Sequence, residues 1–208
     1  MTQMDKHTRL FHRIAPVYNF FFNSQKKNYQ EILERHLDLL NLPPGGKVLD
    51  IGCGTGAFLA CFARLGYCAT GVDAAEGMLK AARSSTSAFD IDFVQADATK
   101  ALPFEDGSFD LVVSSYVIHG VKTDLRRNIY EEAARLSKGL ILFYEYSGKR
   151  SWLIDFVEWA EGGDYFNFIR NGAREMRGIF ERVEVKNVGS HAALYLCKPK
   201  RETYQDIV

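Results

Sequence analysis

The stretch Val48-Leu49-Asp50-Ile51-Gly52-Cys53-Gly54-Thr55-Gly56 carries the densest chemical information in the chain. An apolar run leads into three glycines at alternate positions and then into a helix-like segment from Ala57. Glycine lets backbone N–H groups approach a ligand without Cβ obstruction, and a helix N-terminus behind them favours an anionic group. Asp50 changes that reading, because a carboxylate at a strand end repels a phosphate and attracts an ammonium. A ligand bearing both a carboxylate and an ammonium satisfies both halves. About 20 residues beyond the loop, Gly71-Val72-Asp73 closes a second apolar run, where a carboxylate can accept from both hydroxyls of a ribose. A third run ends at Ala96-Asp97-Ala98, where Asp97 can accept from an exocyclic amine. Three consecutive strand ends thus describe an adenosine site with room for an amino-acid group, the combination found in S-adenosylmethionine.

These groups need strands that end side by side. Lys47 to Ile51, Cys68 to Val72, Ile91 to Gln95, Phe109 to Ser115 and Gly139 to Tyr146 read as strands. Helical patterns lie between them at Ala57 to Leu65, Gly77 to Ser84 and Asp124 to Ser137. Near-continuous apolar strands alternating with helices predict a parallel sheet covered on both faces. Glu181 to Val188 and Ala192 to Cys197, joined by Gly189-Ser190-His191, predict a closing hairpin with an antiparallel member. The expected fold is a doubly wound, Rossmann-like α/β domain with a seven-stranded, mostly parallel sheet and an antiparallel last strand. It forms a single domain: a helical cap over residues 1–42, a cofactor-binding core over 43–146, a helical lid over 147–180 and a strand hairpin with tail over 181–208. Within the lid, Ser151 to Glu161 reads as a helix stopped by Gly162-Gly163. Ligands of such sheets sit beyond the carboxyl ends of the strands, so an aromatic insertion after the fifth strand is placed to cover them.

Among the 208 residues, 26 basic and 26 acidic side chains give no net charge, which removes the usual electrostatic footprint of a nucleic-acid partner. No apolar run reaches the ~20 residues of a membrane span, and the N-terminus has no secretory pattern. Cys53, Cys61, Cys68 and Cys197 form no CxxC pair and have no histidine at metal spacing. Four reduced thiols in a cytoplasmic protein without a metal are expected; oligomeric state is not legible.

In this order and spacing, VLDIGCGTG, GVD, QADA and LPFEDGSFDLVVSSYVIH resemble the class I S-adenosylmethionine-dependent methyltransferases. The opening FHRIAPVYNFFFNSQKKNYQEIL and the later FYEYS are similar to the ubiquinone/menaquinone-biosynthesis-type group of that family. The resemblance implies S-adenosyl-L-methionine as cofactor and S-adenosyl-L-homocysteine as product. It further implies that Asp50, Gly52, Gly54 and Gly56 hold the methionine part. Asp73, with Ala74 beside it, would hold the ribose, and Asp97 with the Ala98 backbone the adenine. Tyr18 would close over the cofactor, with Ser114 and Ser115 beside the reacting methyl. Asn19 stands where that group usually carries aspartate, and residues 147–208 lie almost wholly outside the match.

On the acceptor side, His119 follows the fourth strand, where a neutral imidazole can take a proton; Tyr116 is the second candidate. The plainer reading of His119 is a helix-start histidine bonded to backbone. Glu145 either binds an acceptor or satisfies buried backbone donors, and Tyr144 and Tyr146 read as core. Trp152, Phe156 and Trp159 with Tyr165, Phe166 and Phe168 form either an acceptor wall or a packed helix face. Arg170, Arg174, Arg177 and Arg182 read as a solvated face. The acceptor implied is a small hydrophobic or aromatic molecule. Two other readings stay open: a non-catalytic module binding S-adenosylmethionine or S-adenosylhomocysteine, and a nicotinamide-dinucleotide oxidoreductase, whose G-x-G-x-x-G/A pattern Gly52 to Ala57 also fits.

Overall fold

The computed structural model describes residues 22–152, 155 and 162–200. Tyr18, Asn19, the C-terminal tail and most of the segment Ser151 to Glu161, with Phe156 and Trp159, lie outside the described residues.

Helix α1 covers 22–36 and is continued by a 3-10 turn, Leu37–Leu40. The alternating core follows as β1 (Lys47–Ile51), α2 (Ala57–Arg64), β2 (Cys68–Asp73), α3 (Glu76–Ser85), β3 (Ile91–Gln95) and β4 (Phe109–Ser115). After a 3-10 turn at Ile118–Gly120 come α4 (Thr123–Leu136), β5 (Ser137–Tyr146), α5 (Tyr165–Ile179), β6 (Arg182–Asn187) and β7 (Ala192–Lys198). One seven-stranded sheet has the order β3-β2-β1-β4-β5-β7-β6. Strands β1 to β5 are mutually parallel; β7 runs antiparallel to β5 and to β6. The expected architecture is therefore the observed one.

Strand parity divides the core. Leu49, Ile51, Val112, Ile141 and Phe143 pack towards α4 and α5, against Ile129, Tyr130, Leu136, Phe168 and Met176. Val48, Leu111, Val113, Leu142 and Tyr144 face the other way, onto Tyr29, Ile32 and Leu33 of α1 and Phe58 and Phe62 of α2. Each such side chain contributes about 1.5–3 kcal/mol relative to exposure. With both faces covered, the central strands carry no outward polar alternation; only the edge strands β3 and β6 are half exposed. The segment before β4 is tied down separately: Leu102 N donates to Glu132, and Arg135 donates to the Leu102 and Phe104 carbonyls.

Strand order brings the ends of β1, β2, β4 and β5 together, and one buried cation locks the 3-10 turn beyond β4 to α5. Arg126 on α4 has a fully buried side chain that donates to the Ile118 and Val121 carbonyls, to Asp164 and, through two nitrogens, to Glu175, with Phe168 under the guanidinium at 5.3 Å. Helix α5 is thus anchored from within. Arg126→Met is expected to lower unfolding free energy by about 2–4 kcal/mol in urea titrations, since Glu175 and Asp164 lose their cation but keep some solvent. Arg126→Lys should recover only part of that loss, because one ammonium cannot reach all these acceptors.

Candidate cofactor and acceptor site

Where β1 ends, Gly52 N and Cys53 N both donate to the Val72 carbonyl (2.8 and 3.0 Å), folding the glycine turn over the end of β2. Gly52 has φ +75°, and a Cβ there would lie 2.5 Å from Val117 Cγ2, so both conformation and packing require glycine. Gly54 also has positive φ, but a Cβ on it would meet nothing within 4 Å. Its N–H donates to Asp73 Oδ2 at 3.0 Å, while Ala75 N donates to Asp73 Oδ1 at 2.8 Å. Asp73 therefore ties the glycine turn to the start of α3. Burial raises its pKa, and the backbone donors Ala75, Gly54 and Ala74 only partly oppose that. Gly56 caps α2 in the left-handed conformation, and no side chain caps that helix, leaving its first N–H groups without a side-chain acceptor.

Asp50 is 2% exposed, and its Oδ1 is buried without a hydrogen-bond partner among the described residues. Burial, reinforced by the charge of Asp73, pushes its pKa up to about 8. An acid in that condition has a place for a cation. Asp97 is different. Burial raises its pKa, but hydrogen bonds from Thr99 N and Oγ1 and the ammonium of Lys100 outweigh it and hold the carboxyl below its ordinary value. Ala74 accepts from Gln95 Nε2 through its carbonyl, and Ala98 packs half-buried on the core beside Asp97.

Beyond β4 the side chains interlock. Ser114 is fully buried, and its hydroxyl donates to the Ile51 carbonyl at 2.8 Å, so it braces the end of β1. Ser115 shares a 2.7 Å hydrogen bond with the hydroxyl of Tyr29, and Asn28 donates to Tyr144. Tyr116 has φ +52° and packs edge-on against Tyr144, Tyr146 and His119. Burial and then Tyr144 push its phenol further up, which suits a wall better than a proton acceptor. His119 lies in the 3-10 turn, 7% exposed, with Nδ1 2.7 Å from Glu145 Oε2. That bond joins the ring to a carboxylate.

Asp50, Gly52, Gly54, Gly56, Asp73 and Ala74 meet at the β1–β2 end, and Asp97 with Ala98 stands at the neighbouring β3 end. Tyr116, His119 and Ser115 gather at the β4–β5 end. Arg170, Arg174, Arg177 and Arg182 are exposed. Sequence reading missed Tyr29 and Asn28 as site neighbours, although Tyr29 continues the apolar stripe of Ile32 and Leu33. It also missed Val117, and Arg126, which no local pattern marks. Among the described residues no group of three His, Cys, Asp or Glu is arranged to hold a metal.

Fold and site together define an α/β domain with an acid-lined glycine turn for a cationic nucleoside. A methyltransferase domain model matches residues 48–139. The demethylmenaquinone methyltransferase of Renibacterium salmoninarum is 31% identical over 149 residues, 69% of this chain and 60% of that protein. The ubiquinone/menaquinone biosynthesis C-methyltransferase of Ectopseudomonas oleovorans is 35% identical over 125 residues, 56% of this chain and 72% of that protein. Among solved structures, the PH0226 protein of Pyrococcus horikoshii superposes with TM-score 0.65 at 22% identity, covering 83% of this chain and 92% of that one, which shows the fold. The chain belongs to the class I S-adenosylmethionine-dependent methyltransferases of the ubiquinone/menaquinone-biosynthesis type. It spans 56–60% of the length of the first two curated relatives it matches.

S-adenosylmethionine is the family's cofactor, and the residues present fit it: Gly54 has open space above it, and one Asp50 oxygen is unpaired among the described residues, as an ammonium ligand would require. Asp50 then has two measurable signatures. Its folded pKa lies above the unfolded value, so its contribution to stability is present at acid pH and is lost as pH rises through about 8, at about 1.4 kcal/mol per pH unit. From pH 5 to pH 8, Asp50→Asn should therefore gain about 2–4 kcal/mol relative to wild type in chemical unfolding. Because an ammonium favours the ionised form, cofactor binding near pH 7 should release on the order of one proton. Calorimetry in buffers of different ionisation enthalpy should detect it in wild type and not in Asp50→Asn.

Proposed function

We propose that this chain transfers the methyl group of S-adenosylmethionine to a small hydrophobic or aromatic acceptor held at the aromatic end of β4 and β5. The observation that carries the reading is the pairing of two environments on adjacent strand ends. On one side lie buried acids with an unpaired carboxyl oxygen; on the other lies a cluster of Tyr116, Tyr144, Tyr146 and Tyr165 around His119. A dinucleotide's pyrophosphate brings negative charge and no cation for the unpaired Asp50 oxygen, which argues against the oxidoreductase reading.

In this reading Asp50 faces the cofactor's ammonium, Asp73 its ribose hydroxyls, and Asp97 with Ala98 its adenine. Bound S-adenosylmethionine supplies a methyl group on a positively charged sulfur. The chain's own task is to fix two molecules in line, which can be worth ~7–11 kcal/mol in favourable systems. The tyrosine rings offer apolar faces and hydroxyl edges to a flat acceptor. Relatives named for demethylmenaquinone and for ubiquinone/menaquinone support an aromatic, quinone-like one. Four free thiols and neutral charge suit a cytoplasmic setting.

Calorimetric titration with S-adenosylmethionine, S-adenosylhomocysteine and NADH in parallel tests the cofactor side, and methyl incorporation into reduced demethylated naphthoquinones tests the acceptor side. Saturable binding of the first two, none of NADH, and turnover are expected. Asp73→Ala should weaken cofactor binding by about 1–3 kcal/mol. Binding of the cofactor without turnover of any acceptor would instead identify a sensing module.

A further inference from the structure

The 3-10 turn Ile118–Gly120 begins without a side-chain cap from Val117, yet the first N–H groups of a helical turn need acceptors. Glu145, fully buried on β5, supplies one from the neighbouring strand. Its Oε1 accepts from Val117 N at 2.6 Å and from Ile118 N at 2.8 Å. Its Oε2 lies 2.7 Å from His119 Nδ1, a third tie to the same turn. The sheet builds this convergence. Ser115 is in register with Tyr144, Tyr116 N donates to the Tyr144 carbonyl, and Tyr116 at φ +52° then carries the chain across the end of β5. A tyrosine in the left-handed region costs free energy and persists where surrounding contacts fix it.

What these contacts place is the side chain of Val117. Its Cγ2 and Cγ1 lie 2.5 and 3.0 Å from where a Cβ on Gly52 would stand, so the two methyl groups rest against the bare Cα of the first glycine of the turn. On the β2 side, the N–H groups of Gly52 and Cys53 hang from the Val72 carbonyl. Glycine has wide conformational freedom, and here it is gripped between β2 and Val117 at φ +75°.

We propose that Glu145 and Val117 are positioning residues for the amino-acid end of the cofactor. The Glu145 carboxyl fixes the two N–H groups, this sets Val117 against Gly52, and the glycine turn is thereby held in its binding shape. The proposal rests on the placement of S-adenosylmethionine given above, with its amino-acid end on the glycine turn and Asp50. The grip acts on one end of the ligand only. Asp73, assigned to the ribose, also accepts from Ala75 N, and Asp97, assigned to the adenine, is held by Thr99 and Lys100.

Calorimetry with S-adenosylhomocysteine and with 5′-methylthioadenosine, which lacks the amino-acid end, separates this role from a general weakening of the fold. In Val117→Ala and in Glu145→Leu, affinity for S-adenosylhomocysteine should fall about 3–30-fold, while that for methylthioadenosine should stay within about twofold. The double variant should lose no more than the worse single one, because both changes act on one contact. Equal losses for the two ligands overturn the proposal, and so do additive losses in the double variant. Nitrogen NMR of the glycine-labelled free protein reads the turn directly. The Gly52 signal should shift in Val117→Ala, a small truncation at a half-buried residue, while Gly66 and Gly107, in the loops before β2 and β4, should stay. An unmoved Gly52 signal overturns the proposal even if Glu145→Leu does not fold. Failure of wild type to bind either ligand sinks the cofactor placement and the ligand-positioning role with it, while the spectrum still decides whether Val117 holds the turn.

Discussion

A carboxyl group buried at the end of β1, with one oxygen unpartnered, is a standing cost to this fold. Asp50 has neither a cation nor a full set of donors among the described residues, and Asp73 next to it adds like charge, so the free protein carries the acid near the top of its pH range. Nothing in folding requires this. Replacing the carboxylate by an uncharged group would relieve it, which is the pattern expected where a binding site is built at the expense of stability. Much of the remaining architecture can be read as what makes that cost tolerable.

The first compensation is the two-sided core. Strands β1, β4 and β5 are almost fully buried, with α1 and α2 on one face and α4 and α5 on the other. The second is the rigidity of the strand ends themselves. Gly52 packs under Val117, Ser114 donates to Ile51, and Asp73 accepts from both the glycine turn and the start of α3. The glycine turn, the β4 exit and the start of α3 are thus one braced unit. A site that positions its ligands needs that rigidity more than it needs additional contacts.

Parallel strands and the glycine turn were legible because both are local. Five apolar runs, each near the length of one strand, and three glycines at alternate positions leave little freedom of interpretation, and strand ends converge whenever the runs are parallel. Asp50, Asp73 and Asp97 could be assigned to strand ends for the same reason. What stayed hidden depends on pairs far apart in the chain. Glu145 reads alone as an ambiguous strand-end acid; only the register of β4 against β5 brings it onto Val117, Ile118 and His119. Ser114 and Ser115 look alike in sequence, yet strand parity sends one hydroxyl into the sheet and the other to Tyr29. Arg126 sits in an amphipathic helix among charged neighbours, Asp124 and Arg127, and nothing in its spacing announces a fully buried side chain.

That arginine bears on how one scaffold accommodates different acceptors. The segment after β5 lies almost wholly outside the sequence resemblance, and it is where an acceptor's shape would be read. If it were merely draped over the strand ends, its variation would leave the turn holding His119 untouched. Instead Arg126 binds the Ile118 carbonyl on one side and Asp164 and Glu175 of the post-β5 region on the other, while Tyr165 stacks edge-on against Tyr146 and bonds Asp155. The turn that carries His119 and the region after β5 are therefore mechanically joined. A change in one can be felt by the other without any change at Asp50, Asp73 or the glycine turn, because Arg126 touches none of these.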